Sequence, residues 1–190
     1  MKIVFVRHAK FHVEDNKHFE ACLSEDGIAN TKKFLESGIL EKPDYIFSSH
    51  FTTAVESARL IADYFKMNFT IKECLGEWKL QELNLPFEEY EKEENAAIKN
   101  LNFPVRGGES LDMAGERMYN CVKNICDRHK NAKNIIIVSH GNVLYHLFKR
   151  FANQKPKFNP TKEKIDFLDY GVVDYSNGNF KILKNIISKI

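Results

Sequence analysis

The sequence predicts an α/β fold, a three-layer sandwich with a mostly parallel central sheet, and two observations carry that class. Short β-branched runs, led by Lys2-Ile-Val-Phe-Val-Arg7 and Asn134-Ile-Ile-Ile-Val-Ser-His140, are apolar at consecutive positions. A strand shows that pattern when both of its faces are covered. These runs alternate with stretches whose apolar residues recur every three to four positions, which places helices between the strands. A length of 190 residues predicts one domain over residues 1–190, since ~100–200 residues per domain is usual.

Residues 2–7 form the first strand, which stops at charge. Residues 7–24 are polar, lack aliphatic periodicity and read as a loop. A helix is expected over 24–40, with Glu25 and Asp26 in its first turn, where the helix dipole favours acids. Gly38 and Pro43 punctuate its end. Residues 44–48 make the second strand. Over 51–66, Ala54, Ala58, Ile61 and Tyr64 or Phe65 share one helical face, and 69–71 is the third strand. Residues 74–108 have no clear period and contain Pro86, Pro104 and an acidic run at 88–94. A patternless stretch of this length predicts a lid or insertion that contributes to a site; a solvated helical insertion is the alternative for its acidic part. A long amphipathic helix fits 109–130, the most strand-like run follows at 134–140, and another helix extends from Gly141 to about Phe151. Residues 166–170, 172–175 and 180–183 read as closing strands, with Asn177-Gly178 as a hairpin turn.

Lys and Arg number 28 against 26 Asp and Glu, a net charge of +2. No overall field therefore points to nucleic acid or an anionic membrane as a partner. No apolar run reaches the ~18–20 residues that cross a bilayer, and the apolar start is too short for a signal-peptide core. Cys22, Cys74, Cys121 and Cys126 form no C-x-x-C pair and are expected as reduced thiols packed like small hydrophobes. A cytoplasmic location is expected on these grounds. Neither H-E-x-x-H nor H-x-x-E-H occurs, and Cys121 and Cys126 lack a histidine signature, so no metal and no cofactor are expected. The sequence carries no signal for an oligomeric state.

Two histidines leave strand ends, in Arg7-His8 and in Ser139-His140-Gly141. Ligands of open α/β sheets bind outside the carboxyl ends of the strands, so both histidines are candidates for one site. Either one alone is more simply a surface or satisfied core residue. The pair, with an arginine attached, favours a site.

Val6-Arg7-His8-Ala9-Lys10 resembles the R-H-G signature of the histidine phosphatase superfamily, the phosphoglycerate mutase-like proteins. Leu23-Ser24-Glu25-Asp26-Gly27 is similar to the family's L-T-x-x-G helix entry. Ser48-Ser49 with Ala54 and Ser57-Ala58 is similar to its S-S-P-x-x-R-A-x-x-T-A segment. Gly107-Gly108-Glu109-Ser110 with Arg117 resembles its G-G-E-S helix start, and Val138-Ser139-His140-Gly141 its second-histidine segment. The five run in family order from residue 3 to about residue 150.

The resemblance implies a phosphoglycerate mutase-like fold and a cofactor-independent phosphatase acting on a small phosphorylated substrate, a phosphomonoester. His8 would take the phosphoryl group onto a ring nitrogen as phosphohistidine. Arg7 would grip the phosphate oxygens, and His140 would donate to the same oxygens. The acid that protonates the leaving alcohol and later activates water falls in an L-x-E segment, which Leu75-Gly76-Glu77 fits. Glu77 is the assigned acid, with Glu82 and Glu73 as rivals. Glu109 is expected to cap the following helix rather than to do chemistry.

The departures from the family pattern are specific. Thr53 stands where the second phosphate-binding arginine belongs. His50 and Phe51 replace the proline and leucine after the two serines, and Ala9 is the third residue of R-H-G. Glu14 aligns with an asparagine six residues after the nucleophile, with Asn16 as the alternative if the loop shifts. Losing one cationic donor costs on the order of 2.7–4 kcal/mol of transition-state stabilisation. Candidate replacements are His50, Lys10, Lys79 and the hydroxyls of Thr52 and Thr53, so His50 and Thr53 join the phosphate-binding candidates. The alternative function is a phosphate-ligand-binding or regulatory protein with a weakly active site. A mutase-type phosphotransferase ranks last, because the family's insertion after the acid is not found.

Overall fold

The computed structural model describes residues 1–12, 19–83, 85–154 and 163–189. The elements run β1 (Lys2–Arg7), α1 (Glu25–Glu36), β2 (Tyr45–Ser48), α2 (Thr52–Phe65), β3 (Thr70–Ile71), α3 (Phe87–Lys99), α4 (Leu111–Arg128), β4 (Asn134–Ser139), α5 (Gly141–Phe151), β5 (Glu163–Lys164), β6 (Tyr170–Ser176), β7 (Asn179–Lys184) and β8 (Ser188–Lys189). Two short 3-10 turns, Glu73–Leu75 and Lys79–Glu82, lie between β3 and α3. Six strands make one sheet in the order β3-β2-β4-β1-β6-β7, and β5 pairs separately with β8. The β3, β2, β4 and β1 neighbours are parallel; β6 and β7 close the sheet antiparallel.

Consecutive apolar residues in β1 and β4 serve two cores because side chains of a strand alternate between faces. Ile3, Phe5, Ile135 and Ile137 pack with Met118, Val122, Leu144 and Phe148 of α4 and α5. Val4, Val6, Ile136 and Val138 pack with Leu35, Ala54, Ala58 and Ile61 of α1 and α2. This is the three-layer arrangement, a mixed sheet with helices on both faces.

The 74–108 stretch is helical in its acidic part. In α3, Ala97 and Tyr90 turn inward onto Trp78, Leu80, Val105 and Leu111, while Glu88, Glu89 and Glu91 face solvent. Three expectations change. Residues 166–169 are a turn rather than a strand: Asp166 N donates to Asp169 Oδ2, and Asp169 N donates back to the Asp166 carbonyl. Such local carboxylate bonding competes with a strand ladder, so β6 begins at Tyr170. Cys74 and Cys121 are not thiols but a disulfide, their Cα atoms 5.9 Å apart; α4 brings together cysteines 47 residues apart in sequence. Cys126 is a buried free thiol and Cys22 an exposed one. Third, Ser110, not Glu109, caps α4, accepting from Met113 N at 3.2 Å. Glu14 and Asn16 lie outside the described residues.

Candidate active site

Strand register decides which residues emerge together. In the parallel β1–β4 pair Arg7 stands opposite Ser139, so His8 and His140 leave the sheet side by side. His8 N donates to the Ser139 carbonyl at 2.9 Å, and the two buried imidazoles have centroids 5.0 Å apart. His8 Nδ1 lies 2.9 Å from the Ala9 carbonyl. A carbonyl only accepts, so Nδ1 holds the ring proton and Nε2 holds the lone pair. His140 Nε2 lies 2.7 Å from Ser49 Oγ, at the exit of β2. Burial, reinforced by the neighbouring His8 and Arg7, holds His140 well below the ordinary imidazole range. It is neutral.

Arg7 places its guanidinium 4.3 Å over the Phe167 ring and donates Nη1 to the Ile165 carbonyl. It also lies against Gly141, where a Cβ would stand 3.4 Å from Arg7 Cζ. Gly141 is the first residue of α5, so the guanidinium lies against the start of that helix.

Glu77 is only 3% exposed. Its Oε1 accepts from Trp78 N and Val143 N, both at 2.9 Å, and Oε2 from Asn142 N at 3.0 Å. Two of these donors belong to the first turn of α5, where the helix dipole favours negative charge. Burial pushes the Glu77 pKa up; the three N–H groups and Arg7 offset part of this, and the net shift is upward. A cavity of about 280 Å³ opens among Arg7, His8, Glu77, Gln81, Tyr145 and Glu163.

The sequence profile of the histidine phosphatase superfamily (branch 1) matches residues 3–186, nearly the whole chain. This chain belongs to the histidine phosphatase superfamily. It is 28% identical over 163 residues to phosphoglycerate mutase-like protein 4 of Arabidopsis thaliana, across 78% of this chain and 70% of that protein. Its fold is similar to mycobacterial glucosyl-3-phosphoglycerate phosphatase, with a TM-score of 0.77, 14% identity, and 98% and 99% of the two chains covered. It is also similar to the α-ribazole phosphatase of Shigella flexneri, with a TM-score of 0.74, 16% identity, and 98% and 96% covered. Among the described residues no helix is long and apolar enough to cross a membrane.

In this superfamily member, Arg7, His8 and Glu77 share one cavity and His140 lies directly beside His8. The other candidates stand apart. Glu73 is exposed, and Glu82 pairs with His50 Nε2 at 3.5 Å. The His50 ring packs on Phe19 and Phe51 and fits against Gly76, where a Cβ would lie 2.6 Å from His50 Cε1. Thr53 is buried in the first turn of α2, and its carbonyl accepts from Ser57 Oγ at 2.8 Å. Ser57 Oγ in turn accepts from Ala9 N at 3.0 Å. Thr53 thus supports the turn after His8, and neither it nor His50 lines the cavity among the described residues. Lys10 pairs with Asp26 at the surface, and Lys79 is exposed.

Sequence reasoning did not find Gln81, Tyr145, Glu163 or Phe167 at the site. Tyr145 was within reach, because it falls one helical turn after the Ser139-His140-Gly141 exit and faces the same way as Gly141. Glu163 and Phe167 carry no local signal. They arrive through the antiparallel return of the chain beside β1.

Proposed function

We propose that this protein is a histidine phosphatase that hydrolyses a small phosphomonoester through a phosphohistidine on His8, without a cofactor. The observation that carries this reading is the cavity shared by His8, with its proton held on Nδ1, the Arg7 guanidinium and the buried Glu77. In the first step His8 Nε2 attacks phosphorus, the bond to the leaving oxygen breaks, and Glu77 gives that oxygen its proton. In the second step water attacks phosphorus, the Glu77 carboxylate takes a proton from it, and the P–N bond breaks. His8 and inorganic phosphate are released, and the balance needs only water and these side chains.

The environment of Glu77 suits both steps. Burial favours its neutral form, and the N–H groups of α5 hold its anion. Arg7 Nε is a buried donor without a partner among the described residues, as a fork awaiting phosphate oxygens would be. A neutral His140 can still donate one N–H to the transferring group. At about 280 Å³ the cavity lies at the small end of ligand sites, which run ~300–1,000 Å³, in keeping with a small leaving group. The names of the two structural relatives, both phosphatases, support the same reaction class.

Rapid quench with radiolabelled substrate tests the reading. Acid-labile, base-stable label should appear on the protein and vanish in His8→Ala. Product formation without any such label would refute the covalent route. Thr53, in place of a cation, favours the second reading, a weakly active phosphate-binding protein. That reading predicts calorimetric binding of inorganic phosphate with only slow turnover across a panel of phosphomonoesters.

A further inference from the structure

The segment 73–82 carries Glu77 but belongs to no sheet ladder and contains only two short 3-10 turns. Its backbone polar groups need partners beyond those turns, and the ion pair between Arg117 of α4 and Glu109, just ahead of that helix, meets those of Cys74, Gly76, Glu77 and Lys79. Arg117 Nε donates to Glu109 Oε1 at 2.7 Å, and Nη2 donates to Glu109 Oε2 at 3.0 Å. Nη1 donates to the Cys74 and Gly76 carbonyls, both at 3.0 Å, and Nη2 also donates to the Glu77 carbonyl at 3.0 Å. A guanidinium has five N–H donors, and all five are used. Glu109, itself buried, accepts from Lys79 N at 3.1 Å through Oε2 and from Trp78 Nε1 at 2.9 Å through its carbonyl.

We infer that Arg117, anchored by Glu109, is the positioning residue of the acid: it fixes the main chain around Glu77 so that the carboxyl meets the leaving oxygen. The inference rests on the reading of Glu77 as that acid. Glu77 is held from two sides, its backbone by Arg117 on α4 and its carboxylate by the N–H groups of α5. With every donor occupied, Arg117 has none to offer a phosphate. Its contribution runs through Glu77. Lysine cannot take its place, since a single ammonium with three donors cannot span acceptors spread over Cys74, Gly76, Glu77 and both oxygens of Glu109. A misplacement of about 1 Å in a catalytic group can cost ~10²-fold, so the loss should concentrate on substrates that need a proton.

The test compares an alkyl phosphate with p-nitrophenyl phosphate, whose good leaving group needs little protonation. Arg117→Lys and Glu109→Gln should each lower kcat/KM on the alkyl ester by about 10²-fold or more. On the aryl ester kcat/KM, which reports transfer to His8 before the water step common to both esters, should change less than about threefold. In a Glu77→Gln background, Arg117→Lys should cost the alkyl ester no more than a further threefold or so, because the two changes remove the same contribution. Equal losses on both esters, or full additivity with Glu77→Gln, would make Arg117 a merely structural residue and overturn the inference. If Arg117→Lys does not fold, Glu109→Gln decides alone, and silence there also overturns it. If Glu77→Gln itself shows no leaving-group dependence, the assignment of the acid fails instead.

Discussion

His146 offers a stability test whose size follows from its surroundings. It lies on α5, one turn beyond Asn142, and is 1% exposed. It packs on α4 at Gly115, where a Cβ would stand 2.8 Å from the His146 Cβ. Neither ring nitrogen has a hydrogen-bond partner among the described residues. Burial lowers its pKa from 6.5 to about 4, with Asp112 pulling upward and Arg150 downward. The unfolded chain protonates this ring near its ordinary pKa, whereas the folded chain resists until about pH 4. Protons therefore favour unfolding between those values. Stability is fully present above the unfolded pKa and is lost as pH falls towards the folded one. A gap of about 2.5 units is worth about 3.4 kcal/mol at the acid limit, of which about 2 kcal/mol is already lost by about pH 5. His146→Leu removes two unsatisfied polar atoms at similar volume, so stability at neutral pH should hold or rise, by up to about 1–3 kcal/mol. Urea unfolding at about pH 7.5 and about pH 5 measures the difference: wild type should lose about 2 kcal/mol more than the variant. Parallel losses in the two proteins would refute a buried, neutral, unpartnered His146.

Kinetics and cysteine chemistry give further outcomes. With an alkyl phosphate, kcat/KM should fall as pH rises through the elevated Glu77 pKa, and Glu77→Gln should abolish that basic limb; a limb surviving in the variant would belong to another group. Thr53→Arg should raise kcat/KM on an aryl phosphate about tenfold or more, if it restores a cationic donor. His50→Ala should change it less than about threefold, because Glu82 and Gly76 hold that ring aside; steady-state kinetics separates the two, and a costly His50→Ala would return His50 to the phosphate site. Non-reducing peptide mapping after alkylation should find Cys74 joined to Cys121 and Cys22 modified in the folded state. Cys126, whose thiol burial pushes up to about 12, should react only after unfolding; ready alkylation of Cys74 would contradict the bridge.

The layers of the fold and the two histidine exits were legible because their signals are local. An apolar run such as Ile3 to Val6 shows that both strand faces are covered, whichever helices cover them. The face of Ala54, Ala58 and Ile61 repeats every three to four positions whatever it packs against. Arg7-His8 and Ser139-His140 mark chemistry by residue type and by their place at strand ends. The sequence by itself thus determined the sandwich and the ends of the strands that carry the site.

Partner choice belonged to the tertiary structure. The resemblance pointed to Glu77 as the acid with Glu82 and Glu73 as rivals, and only packing put Glu77 on the N-terminus of α5, left Glu73 in solvent and tied Glu82 to His50. Glu109 read as a helix cap because acids favour a first turn; instead Arg117, two turns along α4, takes its carboxylate. Cys74 meets Cys121, and Arg117 meets the carbonyl of Cys74 across 43 positions, because α4 crosses the loop from β3. The turn at 166–169 displaced an expected strand through a carboxylate that reaches three residues back. The physical reason is one of range: periodicity and caps depend on neighbours along the chain, whereas the pKa of a buried carboxyl and the aim of a guanidinium depend on groups that only folding brings within about 3 Å.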